Sequence, residues 1–162
     1  MIQNFKMEPY TFLSNFYPCT VKFMGVKFPS AEHAYQACRC SKEPDFAAIL
    51  SASTPAEAKR VGRQVKARGG EVGNWEETKT YIMYEIVRAK FFGNPQLAEK
   101  LLATEDQDLV EGNWWGDTFW GVCKGQGTNI LGTILMIIRR ELCERKASKA
   151  GKEISNNSAG SI

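Results

Sequence analysis

Histidine occurs once in this 162-residue chain, at position 33, and the five cysteines (Cys19, Cys38, Cys40, Cys123 and Cys143) are scattered and odd in number. Cys38-Arg39-Cys40 is too tight for the usual pair of zinc ligands, and a single imidazole offers no second nitrogen donor. A metal centre is therefore not expected, and the cysteines read as reduced, mostly buried thiols. No apolar run is long enough to span a bilayer. The best stretch, Ile130 to Ile138, is interrupted by Gly132 and followed by Arg139 and Arg140, so it reads as a buried helix and no membrane partner is expected. The opening MIQNFKMEPY lacks the apolar centre of a secretory leader, which points to the cytoplasm. A true surplus of charge is missing too. The net +3 is matched by residues 145–162, where Arg145, Lys146, Lys149 and Lys152 face only Glu153; the preceding residues balance 17 basic against 17 acidic side chains. A module gripping nucleic-acid backbone without sequence preference usually carries its excess on the body. A local basic pocket remains compatible with this balance.

What is present suggests one mainly α domain over residues 1–145, with a few short strands near its start and a disordered polar tail over 146–162. Val21-Lys-Phe23 and Val26-Lys-Phe28 alternate around Met24-Gly25, the pattern of a short hairpin. Ser30 can cap a helix with Ala31, Ala34, Tyr35 and Cys38 on one face. A short helix is expected over Phe46–Leu50. Thr54-Pro55-Ala56-Glu57 is a capping box with proline at the first helical position, opening a helix to about Val65. A glycine-rich connection, Lys66 to Gly73, leads to a long amphipathic helix from Trp75 to Phe92. Asn94-Pro95 starts another, ending near Ala103, and a last helix is expected from about Asn129 to Arg145.

The segment Glu111 to Gly132, EGNWWGDTFWGVCKGQGTNILG, holds three of the four tryptophans and six of the fourteen glycines. Tryptophan presents a rigid apolar plane and glycine admits close backbone approach. Asp117 lies among Trp114, Trp115 and Trp120, an arrangement suited to a flat ring on a sugar whose bond is polarised; a loop folded back to cap the core would look the same. On the long helix, Lys79 falls on the apolar stripe with Trp75, Ile82, Met83 and Ile86. There it is either a desolvated amine able to act as a nucleophile or a lysine paired with a carboxylate at the helix edge. Glu32 shares a stripe with Gln36 and Arg39, and it serves either the helix dipole or a pocket as general acid or base. His33 points about 100° away from it, and reads as a packed histidine. Arg60, Arg63 and Lys66 could hold a phosphate or form a solvated face.

Six blocks appear in one order: Phe12-Leu-Ser-Asn-Phe16, Pro29-Ser-Ala-Glu-His-Ala-Tyr-Gln36, Ala58-Lys-Arg-Val-Gly-Arg63, Asn74-Trp-Glu-Glu-Thr-Lys79, Val87-Arg-Ala-Lys-Phe91, and Trp120-Gly with Gly127-Thr-Asn-Ile-Leu-Gly132. Together, over about residues 4–145, they resemble the NADAR, or YbiA-like, family. The resemblance implies a compact helical fold with a few short strands. It also implies hydrolysis of N-glycosidic bonds between a base-like amine and a phosphorylated ribose, with no cofactor. Two substrate classes go with it: early phosphoribosylamino-pyrimidines of riboflavin synthesis, and ADP-ribose attached to guanine in nucleic acid. By motif it carries over Glu32, Trp75, Lys79, Asp117 and Trp120. The expected catalytic set is thus Glu32, Lys79 and Asp117. Trp75, Trp120, Arg39, Arg60, Arg63, Asn15 and Asn129 are expected to bind a nucleotide-like molecule or an ADP-ribosylated nucleobase, with single-stranded nucleic acid as an alternative substrate. Many relatives have a lysine near the end of the first helix, where this chain has Arg39; arginine stays protonated and cannot replace it as nucleophile. A domain that binds ADP-ribose without cleaving it, or an interaction protein with exposed indoles, would be compatible with the same tryptophans.

Overall fold

A computed structural model describes residues 1–159. Two residues with positive φ, Met24 at 50° and Gly25 at 75°, turn β1 (Val21–Phe23) into β2 (Val26–Phe28). Such a turn matches the twist of the antiparallel pair, in which Val21 faces Phe28. The hairpin delivers the chain to α1 (Ala31–Cys38), where the Ser30 hydroxyl accepts from the His33 amide at 3.1 Å. His33 is a packed histidine: its Nδ1 lies 2.7 Å from Ser30 Oγ and its Nε2 2.9 Å from the Ala52 carbonyl. Every residue from Ala31 to Ala37 is buried. The helix sits at the centre of the molecule because α2 (Glu43–Leu50), α3 (Pro55–Ala67) and α4 (Trp75–Phe92) all pack against it.

Thr54 caps α3 by accepting from the Glu57 amide at 3.1 Å, but the Glu57 carboxylate turns to Arg60 rather than back to the cap, so only half of the expected box forms. α5 (Pro95–Leu102) and α6 (Ile130–Ala159) close the core against α4, which buries Met83, Ile86, Val87 and Phe91. The same face of α4 buries Lys90 completely, its Nζ donating to the carbonyls of Phe12 (2.7 Å) and Ser14 (2.8 Å). That pair of bonds fixes the 3-10 turn Thr11–Leu13, and with it the start of the cavity wall.

Two further features depart from the sequence reading. The helix expected to stop at Arg145, before a disordered tail from residue 146, instead runs to Ala159. The stretch Cys143 to Asn156 is exposed, so burial does not hold it; Glu144, Lys146, Ala147, Lys149, Ala150, Lys152 and Glu153 sustain the helix by propensity. Residues 160–162 of the expected tail lie outside the described residues. The second departure is a small parallel pairing inside the Trp/Gly segment, β3 (Gly112–Asn113) with β4 (Val122–Cys123). The N-terminus runs beside it: the Ile2 amide donates to Asp108 and the Val110 amide to Ile2, each at 2.8 Å. Among the described residues no helix is long and apolar enough to cross a membrane.

Candidate active site

Where α1, α3, the N-terminal segment and the Trp/Gly loop meet, they enclose a cavity of about 870 Å³, a size suited to a nucleotide. α1 supplies its floor. The Gln36 amide donates to Glu32 Oε1 at 2.6 Å, Arg39 donates to Gln36 Oε1 at 2.8 Å, and Arg39 Nε pairs with Glu71 at 3.0 Å. Glu32, Gln36 and Arg39 are buried, and their i, i+3 and i+4 spacing puts them on one face. Burial pushes the Glu32 carboxyl upward, opposed by its bond from Gln36 and by Lys59, Arg39 and Arg63. Gly62 makes room for the Gln36 amide: a Cβ there would lie 2.0 Å from Gln36 Oε1, so a larger residue would have to push that amide aside.

α3 forms a cationic wall. Lys59, Arg63 and Lys66 line the cavity, because i, i+4 and i+7 share one face of a helix. Opposite them lie Lys6, Glu111 and the Trp/Gly loop. Lys6 Nζ sits 3.9 Å and 3.8 Å from the ring centroids of Trp114 and Trp115. Desolvation lowers its pKa, with Glu111 opposing and Lys59 adding to the effect.

Asp117 is fixed by its own loop. Its Oδ1 accepts from the amides of Phe119 (3.1 Å) and Trp120 (2.9 Å), and Asn113 bridges both its backbone N–H and its carbonyl. Among the described residues no hydrogen bond reaches Oδ2. Trp120 packs edge-on to Tyr35 with centroids 5.5 Å apart. Asn15 is buried beside Glu32, whose amide donates to the Asn15 carbonyl at 3.0 Å; its Nδ2 meets Met83 Sδ, while its Oδ1 has no hydrogen-bond partner.

The cavity thus gathers Asn15, Glu32, Arg39, Arg63, Asp117 and Trp120 from four parts of the chain: the N-terminal segment, α1 with its cap, α3 and the Trp/Gly loop. It does not gather the other four expected residues. Lys79 pairs with Glu76 one turn away and lies 4.5 Å from the Phe119 centroid, outside the lining. Its stripe position leaves it at the helix edge, where the flexible stem carries the ammonium to a carboxylate. Trp75 is buried behind the wall, 5.1 Å from the Tyr35 ring, and supports that ring rather than facing a ligand. Arg60 is exposed and paired with Glu57 at 2.6 Å, because it lies about 100° around α3 from Lys59. Asn129 holds backbone, accepting from the Glu111 amide at 3.0 Å and donating to the Leu109 carbonyl at 2.9 Å.

Among the lining residues that escape the sequence reading are Lys6, Lys59 and Glu111. Lys59 was accessible from helical spacing to Arg63. Lys6 and Glu111 come together only through the pairing of the N-terminus with residues 108–112, which no periodicity announces. Glu111 is half-buried, its Oε2 is buried with no hydrogen-bond partner, and burial pushes its carboxyl up to about 7, helped by Asp117 and Glu32 and opposed by Lys6 and Lys59. Among the described residues no group of three or more histidine, cysteine or acidic side chains is placed to hold a metal ion.

Comparison with known proteins gives a consistent result. The chain is 40% identical over 138 residues to a riboflavin biosynthesis protein of Vibrio vulnificus, covering 85% of this chain but only 37% of that longer protein. It is 35% identical over 140 residues to the N-glycosidase YbiA of Escherichia coli, covering 86% of each chain. An N-glycosidase of Nostoc punctiforme is 37% identical over 139 residues, covering 83% of this chain and 87% of that one. The solved NMR structure of E. coli YbiA superposes with a TM-score of 0.77, covering 86% of this chain and 82% of that one at 35% identity. A family model described as the NADAR domain matches residues 3–143, and with that match the chain belongs to the NADAR family.

Proposed function

We propose that this protein is an N-glycosyl hydrolase acting on the bond between C1 of a phosphorylated ribose and the nitrogen of a base-like amine. The observation that carries this reading is one cavity with two electrostatic halves: carboxyls of Glu32, Asp117 and Glu111, and a wall of Lys59, Arg63 and Lys66. The cationic wall suits phosphate. Trp120 and Trp115 offer faces to the base. Breaking the C1–N bond builds positive charge on the sugar, which an ionised carboxylate stabilises; Asp117, anchored through Oδ1, takes that part. Glu32 accepts a proton from the attacking water. Burial makes it a stronger base, while Gln36 and the nearby cations keep its ionised form accessible. Each step uses this chain's side chains and water.

The names of the relatives support both the bond type and a substrate from riboflavin synthesis. ADP-ribose linked to guanine in single-stranded nucleic acid has the same bond and is the second substrate in this reading. Chromatography of reactions with a phosphoribosylamino-pyrimidine and with an ADP-ribosylated guanine in a short DNA strand separates them. Release of ribose 5-phosphate assigns the small molecule, and release of ADP-ribose assigns the nucleic acid. Saturable binding without product from either would make the domain a binding module.

A further inference from the structure

The reading above leaves the departing nitrogen without a proton source, and one half-buried acid at the cavity has no other occupation. We infer that Glu111 is the catalytic acid that protonates the leaving amine, an inference that rests on the N-glycosidase reading. Its backbone is held on both sides: the amide donates to Asn129 Oδ1 at 3.0 Å, and the carbonyl accepts from Val122 at 2.8 Å. Gly121 shapes the seat of the side chain, since a Cβ there would lie 2.1 Å from the Glu111 carbonyl and 3.0 Å from its Cγ. Glu111 lines the cavity, yet its Oε2 is buried without a hydrogen-bond partner. An unpartnered buried carboxyl oxygen is costly unless it is protonated or meets a ligand. A rigid backbone seat beside the cavity and an acid without a protein partner suit proton delivery.

Four charged groups face it from four parts of the fold: Lys6 from the N-terminal segment, Lys59 from α3, Glu32 from α1 and Asp117 from the loop. The two carboxylates and burial favour the protonated acid, and the two lysines oppose it. In the step itself the C1–N bond breaks with its electron pair going to nitrogen, and Glu111 gives that nitrogen a proton. Water bonds to C1 and yields its proton to Glu32. The products are the free amine and the sugar bearing a hydroxyl at C1, and solvent then returns the two carboxyls to their starting states.

The test is the pH dependence of kcat/KM on the cleaved substrate for the wild type, Glu111→Gln and Lys6→Met. An acid that must be protonated gives the wild type an alkaline limb near its value of about 7. Glu111→Gln should lose that limb and about 10²-fold in rate, while ribose 5-phosphate binding stays within about threefold. Lys6→Met should move the limb to higher pH, because removing the cation favours the protonated carboxyl; this reading does not depend on the Gln variant folding. A Glu111→Gln rate within about tenfold of wild type, or a limb unmoved in Lys6→Met, would overturn the assignment. Absence of cleavage by the wild type would instead overturn the N-glycosidase reading beneath it.

Discussion

At the scale of single residues, charge position decides function. Lys79 is held by Glu76 outside the cavity, so it has no path to a sugar carbon. Lys79→Ala should keep kcat within about threefold of wild type, and borohydride added during turnover should leave no sugar adduct on Lys79; mass spectrometry of the peptide decides, and an adduct there would contradict the geometry. Glu111 carries a second prediction. Its carboxyl binds a proton more tightly folded than unfolded, so from its ordinary 4.5 up to about 7 stability falls as pH rises. Glu111→Gln, which mimics the protonated form, should therefore melt at a higher temperature than wild type at pH 8 and lose that advantage towards pH 4.5. Equal midpoints at pH 8 in calorimetry would mean that the carboxylate is not buried at a cost. The placement of Glu32 and Asp117 at a cavity was legible in sequence because each sits in a motif with a pattern of its own. Lys59 was masked by its neighbour Arg60: adjacent residues differ by about 100° around a helix, and only one of them faces the cavity. Glu111 had no local mark, since its burial depends on a loop and an N-terminus that are distant in sequence.

At the scale of elements, the contact of α1 with α3 sets the geometry of the floor. Gly62→Ala would drive a methyl into Gln36 Oε1 and displace the amide that holds Glu32. We expect a loss of about 1–3 kcal/mol from overpacking, read as a lower denaturation midpoint, together with a reduced kcat. A variant with wild-type stability and rate would show that the Gln36 link does not matter. The helices themselves were readable because caps and periodicity are local: Ser30, Thr54 and Pro95 mark their starts at the observed places. The two-residue strands β3 and β4 were not, being too short to show alternation. The far end of α6 was misread because low apolar content removes burial, yet leaves intact the propensity of lysine, alanine and glutamate for helix.

Across the whole molecule, a nearly neutral body conceals a sorted interior, with cations on α3 and carboxyls on α1 and the loop facing one cavity. Composition could not reveal this, because sorting arises only when distant segments meet. Arg63→Ala should raise KM by about tenfold with a smaller change in kcat, since a phosphate clamp acts on ground state and transition state alike. Added salt should raise the wild-type KM in the same direction. A kcat loss at constant KM in steady-state assays would place Arg63 in the chemistry instead. The central claim is that this cavity breaks a ribosyl C–N bond using carboxylates. It is tested most directly by following release of the sugar phosphate from a phosphoribosylamino-pyrimidine by wild type, Glu32→Gln and Asp117→Asn, with binding measured in parallel. The account predicts product from the wild type and about 10²-fold slower release from each variant at nearly unchanged affinity. Tight binding by all three proteins, with product from none or equal product from all, would contradict it.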